Sequence, residues 1–163
     1  MPSKKKSIKK EEAEKIANDL LTKIIGYNRY RICGSIRRNK KTVGDLDIVF
    51  TPTNGHALPL EQSLNAIGDE VLSSGQKVIR IVYKGVQVDA YITNEKFFEA
   101  HCLHLTGSKF FNIKCRQIAK TLGLRLSQYG LLNEAGEAVA LGEEDILGKL
   151  GFGQFLHPET RSF

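Results

Sequence analysis

Apolar residues recur at steps of three and four from Glu11 onward: Ala13, Ile16, Ala17, Leu20, Leu21, Ile24 and Ile25, with Gly26 as a stop. That spacing predicts an amphipathic scaffold helix. The pattern then shifts to short runs. Tyr30–Cys33 reads as a strand ending at Gly34, Ser35–Asn39 as one or two helical turns, and Lys40–Val43 as a loop. A strand over Asp45–Phe50 follows, broken by Thr51-Pro52-Thr53-Asn54-Gly55, with His56 in the surface loop beyond. Pro59 suits the first turn of a second helix. Leu60, Leu64, Ile67, Val71 and Leu72 would form its buried face, and Gly75 would end it. Lys77–Tyr83 and Val86–Ile92 flank the two residues Lys84-Gly85, the spacing of a tight β-hairpin. In its second strand Val86, Val88, Ala90 and Ile92 share one face, and Gln87, Asp89 and Tyr91 the other.

After Ile92 the pattern turns helical. Asn94 can cap a helix from Glu95 to about Leu103, Thr106-Gly107-Ser108 interrupts it, and a further helix runs from Ser108 to Leu122, closed by Gly123. Phe111, Cys115, Ile118, Ala119 and Leu122 form its apolar side, while Lys109, Asn112, Arg116 and Lys120 fall together on another. Short strands over 124–128, 130–132 and 138–141 and a helix over Glu143–Leu150 complete the chain. The expected fold is α+β: a mixed sheet with flanking helices over residues 1–95, then a smaller α+β unit over 96–163.

Bulk properties change this picture only modestly. The 163 residues carry a formal net charge of +6, and residues 2–10, with five lysines, read as a frayed basic arm. A basic balance favours a polyanionic partner. No apolar run approaches a membrane span and no signal-peptide segment is present, so a soluble, intracellular protein without a membrane partner is expected. Cys33, Cys102 and Cys115 lack metal-ligand spacing and read as reduced core thiols.

The chemistry gathers in Gly34–Phe50. Asp45-x-Asp47 entering an apolar run puts two carboxylates on one strand face, an unfavourable pairing unless a cation lies between them. Mg²⁺ is the usual partner of such oxygens in phosphate chemistry. Upstream, the Gly34-Ser35 turn offers backbone N–H groups and a hydroxyl to a phosphate, and Arg37 and Arg38 offer charge-assisted bonds. Asp89 is a candidate third carboxylate, as required to hold two metal ions about 3.5–4 Å apart for in-line displacement at phosphorus.

Taken together, these residues resemble the family X DNA polymerases, within the wider nucleotidyltransferase superfamily. Cys33-Gly34-Ser35-Ile36-Arg37-Arg38 followed by Gly44-Asp45-Leu46-Asp47 is similar to the family's palm signature, and Val88-Asp89 to its third catalytic acid. Leu105-Thr106-Gly107-Ser108 with Phe111-Asn112 and Arg116 resembles the family's Thr-Gly-Ser segment and the helix behind it. Ser127-Gln128-Tyr129-Gly130-Leu131 and His157-Pro158-Glu159-Thr160-Arg161 resemble its closing elements. The resemblance implies a template-directed DNA polymerase that fills short gaps in DNA repair. It implies a monomer that binds gapped or primer–template DNA and deoxynucleoside triphosphates. Asp45, Asp47 and Asp89 would hold two Mg²⁺ ions, with Mn²⁺ as a substitute. Gly34, Ser35, Arg38 and Gly44 would hold the nucleotide's phosphates, and His104, Leu105, Thr106, Gly107 and Asn112 its sugar and base. Lys109, Arg116 and Lys120 would lie along the template.

The chain departs from the family pattern. His104 and Leu105 stand where the family has tyrosine and phenylalanine, and Lys109 where better-known relatives have an aspartate. The family's lyase and helix-hairpin-helix modules have no counterpart in this sequence, as in the family's minimal viral members, so weak processivity is expected. Two other functions share parts of the pattern. A template-independent nucleotidyltransferase acting on RNA or a small hydroxyl substrate would need the same Gly-Ser and Asp-x-Asp motifs. A non-catalytic basic nucleic-acid-binding module would need only the charge.

Overall fold

The computed structural model describes residues 6–163. Strand β1 (Ile8–Lys9) pairs antiparallel with β3 (Thr42–Val43), Ile8 opposite Val43. The expected frayed arm is thus already ordered at residues 8–10, while its residues 2–5 lie outside the described part. Helix α1 (Lys10–Lys23) buries Ala13, Ala17, Leu20 and Leu21. Glu11 and Glu12 in its first turn and Lys23 in its last complement the helix dipole. The helix stops before Ile24, and Ile25, expected on the buried face, is 71% exposed. Gly26 has φ +93°, and a Cβ there would lie 2.5 Å from the Leu60 nitrogen, so only glycine allows this turn to pass so close to the Leu60 backbone.

Strands β2 (Tyr27–Ile32), β4 (Leu46–Pro52), β5 (Glu70–Ser74), β6 (Val78–Tyr83) and β7 (Val86–Ile92) form a five-stranded sheet of order β2-β4-β7-β6-β5. Only β4 and β7 are parallel. Between β2 and β4 the chain passes through the short helix α2 (Gly34–Arg37) and β3. Helix α1 and helix α3 (Leu58–Ile67) bury their apolar sides with Leu46, Ile48, Phe50, Ile79, Ile81 and Val88 in one core.

The second helix was expected to reach Gly75. It ends instead at Gly68, whose φ/ψ of −60°/136° turns the chain extended, and residues 70–74 become the edge strand β5. Val71 and Leu72 are 43% and 45% exposed, so the helical face they would have completed does not exist. Pairing Glu70 with Val82 and Val71 with Ile81 satisfies the backbone that a helix would otherwise have satisfied. The β6–β7 hairpin forms as expected. Lys84 and Gly85 both have positive φ, 50° and 79°, the geometry of a type I′ turn. Lysine tolerates it because its backbone N–H donates to Asp69 Oδ2 at 2.8 Å and its ammonium meets Asp19 at 2.8 Å.

Helices α4 (Phe98–Thr106) and α5 (Lys109–Thr121) follow, then the small antiparallel sheet β8 (Arg125–Ser127), β9 (Gly130–Leu132), β10 (Ala138–Ala140), and helix α6 (Glu143–Lys149). Asn94 Oδ1 accepts the Phe97 N–H ahead of α4, and Ser108 Oγ caps α5 by accepting the Phe111 N–H. Ala100, Leu103, Phe111, Cys115, Leu131, Ile146 and Phe152 form a second core. Of the expected α5 apolar face, Leu122 is 53% exposed, because the helix ends at Thr121. A small third cluster, Cys33, Val49, Phe98 and Cys102, packs α4 onto the other face of the large sheet. All three cysteines are free and buried, as expected. The fold is the expected α+β class, and no helix among the described residues is long and apolar enough to cross a membrane.

Candidate active site

The parallel pairing of β4 with β7 is what builds the site. It places Asp47 directly opposite Asp89, two carboxylates on neighbouring strands and on the same face. Antiparallel pairing of β7 with β6 then places Arg80 directly opposite Asp89 on its other side. One row across three strands therefore reads Asp47, Asp89, Arg80. Asp89 is 7% exposed. Its Oδ1 accepts Gln87 Nε2 at 2.9 Å and lies 3.5 Å from Arg80 Nε. Asp45 sits one residue before β4 begins. Among the described residues, no three His, Cys, Asp or Glu side chains are gathered closely enough to hold a metal ion as they stand.

Gly34 is packed beneath Asp47. Its φ is +63°, and a Cβ on it would lie 2.6 Å from Asp47 Oδ2. The Cys33 N–H donates to the Asp47 carbonyl at 2.7 Å, strapping the Gly34-Ser35 turn to the start of β4. Gly34→Ala is expected to destabilise the fold by roughly 1–2 kcal/mol from the left-handed backbone alone and to displace the Asp47 carboxylate; urea denaturation and Mn²⁺ titration check the two effects. Gly44, by contrast, has open space where a Cβ would be.

Arg38 and the Thr106-Gly107 turn, remote in sequence, are brought together. Arg38 Nη1 donates to the Thr106 carbonyl and Nε to Ser162 Oγ at 3.2 Å. A Cβ on Gly107, φ +65°, would lie 3.2 Å from Arg38 Nη1. Burial pulls the Arg38 guanidinium below its usual pKa, and the Asp47 charge opposes that. On α5, Lys109, Arg116 and Lys120 are exposed and Asn112 half-buried. Asn112 Nδ2 donates to the His104 carbonyl at 2.7 Å, which joins the two nucleotide candidates through one bond.

A groove of about 980 Å³ opens at the C-terminal ends of β4 and β7, toward the C-terminal unit, and Asp47, Asp89 and Arg80 do not line it. Tyr91, His101, His104, Leu105 and Tyr129 line it, together with Lys77. The Tyr91 and His101 rings stand 5.9 Å apart, and Phe97 and Tyr129 meet edge-on at 5.3 Å. Burial, with a smaller contribution from His104, pushes the His101 imidazole down from 6.5 to about 4. An unfolded chain therefore binds a proton at this residue between those values that the folded chain refuses. The stability this neutral ring contributes is full above pH 6.5 and is lost as pH falls toward 4. His101→Phe is expected to flatten the fall in melting temperature between pH 7 and pH 4; thermal scans across that range read it.

Several residues of this region depart from their expected place or carry a role the sequence did not assign. Arg37, expected with Arg38 beside the phosphate turn, points away from it. Its Nη1 donates to Thr106 Oγ1 at 2.8 Å, and its two terminal nitrogens grip both oxygens of Glu143 at 2.8 and 2.7 Å. Arg161, fully buried, completes the cluster by pairing with Glu143 Oε1 and donating to the Phe155 and Leu156 carbonyls at 2.6 and 2.8 Å. Burial pulls the Glu143 carboxyl up, but the two arginines outweigh it and its pKa is lowered. Arg80 was legible in principle: a two-residue turn at Lys84-Gly85 already pairs residue 80 with residue 89. Nothing in the sequence marks Glu143, 106 residues from Arg37.

A Gly-Ser turn strapped to paired aspartates on a mixed sheet, with the Thr106-Gly107 turn of the C-terminal unit held against Arg38, defines a nucleotidyltransferase-type palm. Residues 6–120 match the DNA polymerase beta palm and residues 101–162 the DNA polymerase beta thumb. The chain belongs to the family X DNA polymerases. It is 35% identical over 127 residues to the DNA polymerase/3′-5′ exonuclease PolX of Bacillus subtilis, covering 75% of this chain and 20% of that protein. It is 31% identical over 147 residues to DNA polymerase lambda of Rattus norvegicus, covering 78% and 25%. The chain thus spans a fifth to a quarter of these curated relatives. The crystal structure of Leishmania infantum polymerase beta in a ternary P/T complex shares the fold, with a TM-score of 0.81 at 23% identity over 97% of this chain and 77% of that one.

Proposed function

We propose that this chain adds deoxynucleotides to the 3′-hydroxyl of a DNA primer under direction of a template strand, filling short gaps in DNA repair as a monomer. The observation that carries the reading is the register of Asp47 against Asp89, beside the strapped Gly34-Ser35 turn. The donor set fits a hard divalent cation: carboxylate oxygens on adjacent strands, one of them buried. Asp47 and Asp89, with Asp45, would hold two Mg²⁺ ions, or Mn²⁺ in their place. Bound there, such ions neutralise phosphate charge and make the attacking hydroxyl more acidic.

The chain's own groups position the rest. The Gly34-Ser35 turn, Gly44 and Arg38 receive the triphosphate by N–H and guanidinium donors. Arg38 exchanges its Thr106 and Ser162 acceptors for phosphate oxygens as it does so. Thr106-Gly107, with His104 and Leu105, lies beneath the sugar. Asn112 releases the His104 carbonyl to reach the base edge. Lys109, Arg116 and Lys120 lie along the template, and the open groove accepts the nucleic acid beside them. Residues 1–95 act as the catalytic unit and 96–163 as the nucleotide-selecting one. Catalysis in this arrangement is positioning and charge neutralisation around phosphorus.

Primer extension on a gapped duplex and on the same primer as a single strand tests the reading. Addition confined to the duplex and matched to the template supports it. Equal addition to the single strand identifies a template-independent transferase instead, and DNA binding without any Mg²⁺-dependent addition identifies a binding module.

A further inference from the structure

The Asp47, Asp89, Arg80 row holds a residue to which the proposed reaction assigns no task. Arg80 faces Asp89 across an antiparallel pair, with Nε 3.5 Å from Oδ1. That oxygen is the one already accepting Gln87 Nε2 at 2.9 Å. The Asp89 side chain is 10% exposed while that of Arg80 is 42% exposed, so the carboxylate is fixed in the sheet and the guanidinium is the partner able to leave. Two carboxylates in register repel each other, and a cation beside one of them lowers that cost.

We propose that Arg80 is a positioning residue, a built-in counter-ion that occupies Asp89 Oδ1 in the metal-free protein and is displaced when a divalent cation binds there. The inference rests on the reading of Asp89 as a metal ligand. Arg80 and the cation compete for one oxygen, so the arginine raises the metal concentration at which the site fills. It keeps the Asp47–Asp89 pair tolerable until that happens. The displaced guanidinium stays on the sheet face that carries the candidate site, since Arg80 is in register with Asp89.

Mn²⁺ titration of the protein alone, followed by electron paramagnetic resonance of the free ion, tests this without DNA, nucleotide or turnover. Arg80→Gln is expected to bind Mn²⁺ about five- to tenfold more tightly than the wild type, since an ionised competitor on the ligand oxygen is gone. Arg80→Lys, which keeps the charge, stays within about twofold of the wild type by the same argument. In the double variant Asp89→Asn, Arg80→Gln the gain disappears. Unchanged or weaker Mn²⁺ binding by Arg80→Gln overturns the proposal. So does a gain that persists in the double variant, which would mark a general effect of charge. If Asp89→Asn alone leaves Mn²⁺ binding equal to the wild type, Asp89 is not a ligand, and the metal-site reading falls along with the role of Arg80.

Discussion

Asp47→Ala is expected to abolish nucleotide addition, lowering the single-turnover rate on gapped DNA by at least about a thousandfold, while the protein stays folded. The size follows from what is lost: charge stabilisation at the reacting phosphorus is the dominant catalytic term in phosphoryl transfer. Asp47 would contribute to both cations and, among the described residues, is the only carboxylate in direct register with Asp89. The fold should survive because the backbone of β4, not this side chain, makes the pairings with β2 and β7. The carboxylate is half-buried and lies against Gly34, where truncation removes bulk from a tight contact instead of opening a large core cavity. Circular dichroism and urea melts should overlay those of the wild type within about 1 kcal/mol, the usual range for a change outside the core. A variant that folds and still extends primers at the wild-type rate shows that the site has been assigned to the wrong carboxylates.

Glu143→Ala carries the second large effect, on stability. Glu143 is 7% exposed and holds Arg37 by a two-point bond and Arg161 by a further one, with Arg31 at 4.0 Å. Arg161 has no exposure at all. Removing the carboxylate leaves a buried guanidinium with only the Phe155 and Leu156 carbonyls, and Arg37 with Thr106. Breaking a buried pair in this way costs about 3–5 kcal/mol. The loss should appear as a matching fall in unfolding free energy in urea. Acidification should mimic it. The pKa of Glu143 is lowered in the fold, so its contribution is present above the ordinary glutamate value of 4.5 and is lost as pH falls through the depressed one. Glu143→Ala should therefore show a weaker dependence of stability on pH below 4.5 than the wild type. Because the same carboxylate ties α2 to α6 and to the last residues of the chain, the variant should also bind nucleotide less tightly.

Much of this architecture was legible because periodicity reports burial. The three-and-four spacing in α1 and the two-residue turn between β6 and β7 map directly onto observed elements. Legibility ended where two periods fit the same residues. Val71 and Leu72 suit a helical continuation of α3 as well as an extended edge, and only the neighbouring β6, which offers unpaired backbone to Glu70–Ser74, decides between them. Ile25 failed for a simpler reason: the helix ends two residues earlier, so its periodicity no longer applies.

The candidate site shows the same division. Gly34-Ser35 and Asp45-x-Asp47 are local, and their spacing already implies their chemistry. The pairing of Asp47 with Asp89 needs the sheet order, which a pattern of strands does not contain. Arg80 could be read from the hairpin register once Asp89 was singled out, but an arginine on a strand carries no mark of its own. Glu143 carried no mark, and Arg161 stood only within the closing His157–Arg161 segment with no task attached, since burying charged residues becomes favourable only through partners supplied from elsewhere in the fold.

If the metal-type site and the α5 face act together as proposed, a template chooses what is added. Extension of a primer across a one-nucleotide gap, with each of the four templating bases and each of the four deoxynucleotides in Mg²⁺, measures this directly. The inserted nucleotide should follow the templating base, and Asp47→Ala should insert none on any template. Insertion of one nucleotide regardless of the templating base would contradict it.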